Sequence, residues 1–104
     1  IISPLSNQKI LDGNFFSIEP GFYASNEFGL RLENLYFAKK YSNGIKLEGV
    51  SLVPYDPDLI NWKLINNQEK LSIKKYHRKI YETLKGQLEP EYKDYYKKYL
   101  IDKL

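Results

Sequence analysis

Ser17-Ile18-Glu19-Pro20-Gly21 and Gly29-Leu30-Arg31-Leu32-Glu33-Asn34 are the stretches on which the reading of this chain turns. Each is a short apolar run carrying a glutamate near its end, and together they read as the arms of a β-hairpin. If the arms pair antiparallel about a turn centred near Asn26, Glu19 and Glu33 face each other across the ladder. Like charges in directly opposite positions are destabilising, and the repulsion grows where the effective dielectric falls below that of water. Something positive is therefore expected between them: a bound cation, Arg31, or a proton. The first option makes the hairpin part of a metal site. The plainer option is a surface hairpin in which Arg31 neutralises Glu33 through solvent.

Outward from this hairpin the chain divides into a β-rich half and a helical half. Asp12-Gly13-Asn14 is a turn signal within a turn-rich opening, residues 1–14. Phe15 to Glu19 reads as a strand stopped by Pro20-Gly21, because proline cannot donate to a ladder. A polar connection, Tyr23 to Phe28, follows. Leu30 to Phe37 alternates, with Leu30, Leu32, Asn34 and Tyr36 on one side and Arg31, Glu33, Leu35 and Phe37 on the other. Neither side is purely polar, which predicts a strand covered on both faces. After the turn Ser42-Asn43-Gly44, a further strand is expected over Ile45 to Pro54. Asn66 and Glu69 form a capping box for a helix carrying Ile73, Tyr76, His77, Ile80 and Leu84 and stopping at Gly86. A second helix is expected from Pro90, with Tyr92, Tyr95, Tyr96, Tyr99 and Leu100 on one buried stripe. Strands followed by helices argue for the α+β class. His77, on an apolar helix stripe, reads as a core histidine with a satisfied hydrogen bond.

The 104 residues suffice for one small domain with a modest core. Methionine is absent, so the sequence reads as a piece of something longer. Cysteine is absent too, which excludes a disulfide framework and thiolate ligands and agrees with a reducing compartment. No apolar run approaches a membrane span and no signal peptide is visible, so no membrane partner and a cytoplasmic location are expected. Sixteen basic against 13 acidic residues give a net charge of only +3, with the basic residues concentrated after Lys70. Lysines interleaved with tyrosines could stack on single strands of nucleic acid, but Glu82, Glu89, Glu91 and Asp94 dilute that charge. Nucleic acid is not the expected partner. The alternative class is an interaction or dimerisation module, or a weak nucleic-acid-binding domain, with a Lys/Tyr-rich helical tail.

Phe16-Ser17-Ile18-Glu19-Pro20-Gly21-Phe22-Tyr23, followed by Phe28-Gly29-Leu30-Arg31-Leu32-Glu33-Asn34, resembles the last two metal-ligand motifs of the pita-bread metallopeptidases. The likeness continues through Leu47-Glu48-Gly49-Val50-Ser51-Leu52-Val53-Pro54, Leu59-Ile60 and Tyr76-His77, as in the longer Xaa-Pro aminopeptidases with a carboxy-terminal extension. Leu11-Asp12-Gly13-Asn14 sits where that family has a Leu-x-x-Gly turn. The resemblance therefore runs from about Leu11 to about Leu84 and fades through the tyrosine-rich end.

It implies a fragment of the pita-bread fold, with residues 1–57 closing the catalytic domain and residues 58–104 forming the helical extension. It also implies an enzyme that removes an amino-terminal residue preceding proline, using two divalent ions, usually manganese. The family's ion pair has five protein ligands: two aspartates, one histidine and two glutamates. Glu19 matches the first glutamate, a ligand proposed to shuttle protons, and Glu33 the second, which bridges the ions. Arg31 matches an arginine that steadies a ligand carboxylate, and Tyr23 is a candidate for the substrate cleft. Oxygen donors of this kind suit manganese. The aspartates and the ligand histidine do not precede Glu19 here, so the chain alone is expected to be inactive. Its implied partners are a peptide with proline at its second position, the rest of its own chain, and a second copy in a homodimer.

Overall fold

Pro20 shapes the first half of the molecule. In the computed structural model, which describes residues 7–104, a long antiparallel hairpin is interrupted where this proline falls. The first six residues, the start of the turn-rich opening, lie outside the described part. Strands β1 (Phe15–Ile18) and β2 (Gly21–Ala24) make one arm; β3 (Phe28–Arg31) and β4 (Asn34–Tyr41) make the other. β1 pairs with β4, and β2 with β3. Strand β5 (Gly44–Gly49) adds to the far side of β4, giving a three-stranded sheet in the order β1-β4-β5 beside the two-stranded β2-β3 ribbon.

One register runs through both parts. Ile18 is opposite Asn34, and Gly21 is opposite Arg31. The Leu32 amide donates to the Pro20 carbonyl at 3.0 Å, holding the arms together across the gap. The alignment therefore passes through the interruption unshifted.

Four strand expectations need correction. The Tyr23–Phe28 connection is largely strand: only the tip leaves the ladder, through Asn26 at φ 58, a left-handed conformation that a short polar side chain tolerates. Leu30 to Phe37 is two strands, not one. Pro20 has no N–H to offer, so pairing lapses at the residues across from it. The last strand stops at Gly49, short of Pro54; beyond it the Val50 amide donates to the Leu35 carbonyl, and the Leu35 amide donates to Ser51 Oγ. Nor is the Leu30–Phe37 segment covered on both faces: among the described residues Leu30, Leu32 and Leu35 remain exposed. The Asp12-Gly13-Asn14 turn forms as expected, with Gly13 at φ 83. It is stitched to β4, since Gly13 N–H donates to the Ala38 carbonyl at 2.9 Å and Ala38 N–H to the Asn14 carbonyl at 2.8 Å.

The chain separates into two compact units between Ser51 and Leu52. The second unit opens with a loop and a 3₁₀ turn, Pro57–Leu59, capped by Asp56. Helix α1 (Asn67–Leu84) starts at the expected capping box. Asn66 Oδ1 accepts the Glu69 amide at 2.8 Å, and Glu69 Oε2 accepts the Asn66 amide at 2.9 Å. Asn66→Ala removes one of these bonds and is expected to cost about 1 kcal/mol. Hydrogen exchange would then accelerate in the first turn of α1; unchanged protection there would show that the box contributes nothing.

Helix α1 runs into a 3₁₀ turn, Lys85–Gln87. Helix α2 (Pro90–Tyr95) then continues as a π-helical segment, Tyr96–Asp102. Wider i→i+5 winding advances each residue through a smaller angle than an α-helix does, so the expected tyrosine stripe splits. Tyr96, Leu100 and Ile101 turn inward and form the core with Ile80, while Tyr92, Tyr95 and Tyr99 stay outside. Tyr95 and Tyr99 stack on each other with ring centroids 5.0 Å apart, and Lys98 and Lys103 lie over the Tyr99 ring. Among the described residues no helix is long and apolar enough to cross a membrane.

His77 is the buried polar group of this core, and both ring nitrogens are used, as expected of a core histidine. Nε2 accepts the Tyr55 amide at 2.9 Å, which places the proton on Nδ1, donated to the Leu100 carbonyl at 2.7 Å. The ring thus ties the 53–58 loop to the π-helical segment. Burial pushes its pKa down, partly offset by the bond to Leu100.

Candidate metal centre

Residues directly opposite in an antiparallel ladder share a face, and alternate residues along each arm do too. The continuous register therefore places Ser17, Glu19, Gly21 and Tyr23 on the same face as Gly29, Arg31 and Glu33. Stepping inward from Ile18–Asn34 puts Glu19 opposite Glu33, inside the interruption. Phe22, Phe28 and Leu30 take the other side, where the Phe22 and Phe28 rings meet at 5.9 Å.

Each carboxylate is held by the residue two positions before it. Ser17 Oγ donates to Glu19 Oε2 at 2.7 Å, and Arg31 Nε donates to Glu33 Oε2 at 3.2 Å. Arg31 also engages Tyr23. Its pKa is raised above the ordinary arginine value, first by hydrogen bonding to the Tyr23 hydroxyl, then by the charge of Glu33, with a smaller contribution from Glu19. The guanidinium thus feels both carboxylates. Tyr23 reaches it by lying across the ladder. A Cβ on Gly21 would come within 2.6 Å of the Tyr23 hydroxyl, and one on Gly29 within 2.7 Å of its Cδ1. Two glycines leave the room that this ring occupies.

The four residues singled out in the sequence, Glu19, Tyr23, Arg31 and Glu33, are therefore neighbours on one exposed face. Ser17, Gly21 and Gly29 escaped the sequence reading, although Ser17-x-Glu19 repeats the spacing of Arg31-x-Glu33 and that repetition was the available signal. His77 lies in the other unit, with both ring nitrogens bonded to that unit's own backbone. One fixed cation against two carboxylates leaves the cluster net negative. That donor set, hard oxygens with excess negative charge, fits part of a divalent-ion site. It is not a whole one: among the described residues no group of three or more His, Cys, Asp or Glu side chains converges on a point.

Residues 44–103 match the family described as the C-terminal region of peptidase M24. The Saccharomyces cerevisiae protein FRA1 is 39% identical over 90 residues, covering 84% of this chain and 12% of its own length. Xaa-Pro aminopeptidase 2 of Sus scrofa is 39% identical over 88 residues, covering 80% of this chain and 13% of its own. The crystal structure of X-prolyl aminopeptidase from Caenorhabditis elegans, described as a cytosolic enzyme with a di-nuclear active site, superposes with a TM-score of 0.74. At 19% identity it covers 94% of this chain and 18% of its own. The chain thus spans about an eighth of the length of the first relatives it matches. Its antiparallel strands followed by helices have the pita-bread architecture of that crystal structure. By the match over its carboxy-terminal 60 residues, the chain belongs to the family of peptidase M24 C-terminal regions.

Proposed function

We propose that this chain is the carboxy-terminal part of an Xaa-Pro aminopeptidase and supplies two of the five ligands to a pair of manganese ions. Residues 1–57 would close the catalytic domain and residues 58–104 would form its extension. The observation that carries the reading is the unbroken register that sets Glu19 opposite Glu33, with Arg31 on the same face and bonded to Glu33. The alignment to the S. cerevisiae relative supports it, because 84% of this chain is too large a share to miss residues 19–33 wherever it begins.

Glu19 and Glu33 would hold the ions, Glu33 as the bridging ligand. When bound, such ions supply Lewis acidity toward the scissile carbonyl and activate water for hydrolysis. Arg31 holds the Glu33 carboxylate on the shared face. Tyr23, on that face, holds Arg31 and forms one wall of the substrate cleft. Glu19 also accepts and returns a proton at its carboxylate. The substrate is a peptide with proline in second position. A cytoplasmic setting accords with the absence of cysteine and with the cytosolic C. elegans relative. The direct test is manganese-dependent release of the first residue from Xaa-Pro peptides by the full-length protein. Equal activity on Xaa-Ala peptides, or activity indifferent to chelation, would overturn the reading.

The exposed Tyr95–Tyr99 pair favours an interaction surface in the extension and supports a homodimer over nucleic-acid binding. Tyr95→Ser with Tyr99→Ser in the full-length protein is expected to shift sedimentation from dimer to monomer. A dimer unchanged by both substitutions would remove these rings from the interface.

A further inference from the structure

Glu19 and Glu33 are oriented by different chemistry, and the partner of Glu19 has no role in the reading above. Arg31 offers Glu33 a charged donor, whereas Ser17 offers Glu19 a neutral hydroxyl at 2.7 Å, within the range of a strong O–H···O⁻ bond. Ser17 is half-buried in β1, at the ladder position opposite Leu35, and strand alternation places its side chain on the Glu19 face. A strand side chain stands roughly perpendicular to the sheet, so the backbone presents the Ser17 hydroxyl on the face of the carboxylate. Glu19 follows β1 directly and precedes proline, where the ladder lapses. Its side chain consequently has less support from neighbouring strands than a carboxylate within a strand would have. The Ser17 bond engages Oε2 and leaves Oε1 as the oxygen available to a cation.

We propose that Ser17 is a positioning residue for metal binding: its hydroxyl fixes the Glu19 carboxylate in the orientation that a divalent ion requires. The inference rests on the assignment of Glu19 as a ligand. Partners that hydrogen-bond a ligating group commonly change metal affinity by about 10–100-fold when removed.

The test is an isosteric pair in the full-length protein, Ser17→Thr and Ser17→Val. Both β-branched residues suit a strand, and only the first keeps the donor. Manganese affinity, measured by calorimetry on the metal-free protein, is expected to stay within about twofold of the parent in Ser17→Thr and to fall about tenfold or more in Ser17→Val. Thermal melting of the metal-free forms checks that the two variants fold alike. Equal affinity in the Thr and Val variants would overturn the proposal, because the hydroxyl would then be doing nothing. Glu19→Ala and Glu33→Ala, measured alongside, separate the two possible failures. If they lose manganese while Ser17→Val does not, the positioning role alone falls. If they keep it, the ligand assignment falls and the Ser17 proposal with it.

Discussion

Glu33→Ala in the full-length protein is expected to abolish Xaa-Pro hydrolysis and to release metal. In the proposed site Glu33 would be the ligand shared by both ions, so its loss should exceed the ~10–100-fold typical of removing a ligand's hydrogen-bond partner. Two further effects follow from the structure. Arg31 would lose its nearest counter-charge, leaving its guanidinium on the Glu19 face without a bonded carboxylate. A cation already at the face would then repel the incoming ions. The measurements are metal content after dialysis and turnover of an Xaa-Pro peptide with manganese restored. Activity that survives the substitution, or a full metal complement without it, would refute the bridging role. The fold should be little affected, since Glu33 is exposed, outside the strands, and held by a surface ion pair of the kind that contributes little to stability.

The second large effect belongs to His77. Replacing it with phenylalanine keeps most of the volume but removes both ring bonds, orphaning the Tyr55 amide and the Leu100 carbonyl. Each buried polar group left without a partner costs about 1–3 kcal/mol, so a loss of about 3 kcal/mol or more is expected for a core this small. Hydrogen exchange in residues 52–58 and 98–104 reports it directly, and unchanged protection in both segments would show that the ring bonds contribute little.

The same ring sets a pH dependence. Its pKa is lowered in the fold, so the unfolded chain binds the proton more readily below the ordinary value of 6.5. Stability from this group is therefore present above that pH and declines as pH falls, by up to about 1.4 kcal/mol per unit for one proton. Tyr55 and Tyr76 pack against the ring, and Tyr96 bonds to the His77 backbone. Tyr96, which donates to the His77 carbonyl at 2.9 Å, has its pKa pushed up to about 12 by burial. Its contribution declines as pH rises past the ordinary value of 10.0. Between about 6.5 and 10 neither group titrates, and the second unit should lose protection on either side of that window.

These features differ in how far they could be foreseen. Glu19 and Glu33 lie symmetrically about Asn26, and that symmetry sufficed to align the hairpin before any fold was known. The capping box at Asn66 and the buried His77 were equally plain, because each depends on spacing within one helix. What escaped depends on residues distant in sequence. Nothing within Leu30–Phe37 marks a break at Leu32–Glu33; its cause is Pro20 on the opposite arm. The polar look of Tyr23–Phe28 hid two strands whose stability comes from each other and from a tyrosine lying over two glycines. At the tail, α-periodicity misplaced Tyr99, because the π winding of Tyr96–Asp102, in which Ile101 turns inward, has no local signature.

The tip at Ser25–Glu27 lies well away from the carboxylates, yet it acts as their ruler. Backbone bonds count residues along both arms from that point, and parity decides which way each acid looks. Lengthening the tip by one amino acid would turn one glutamate outward while its counterpart kept its aim, so the proposed metal site would be lost through a change that touches neither acid.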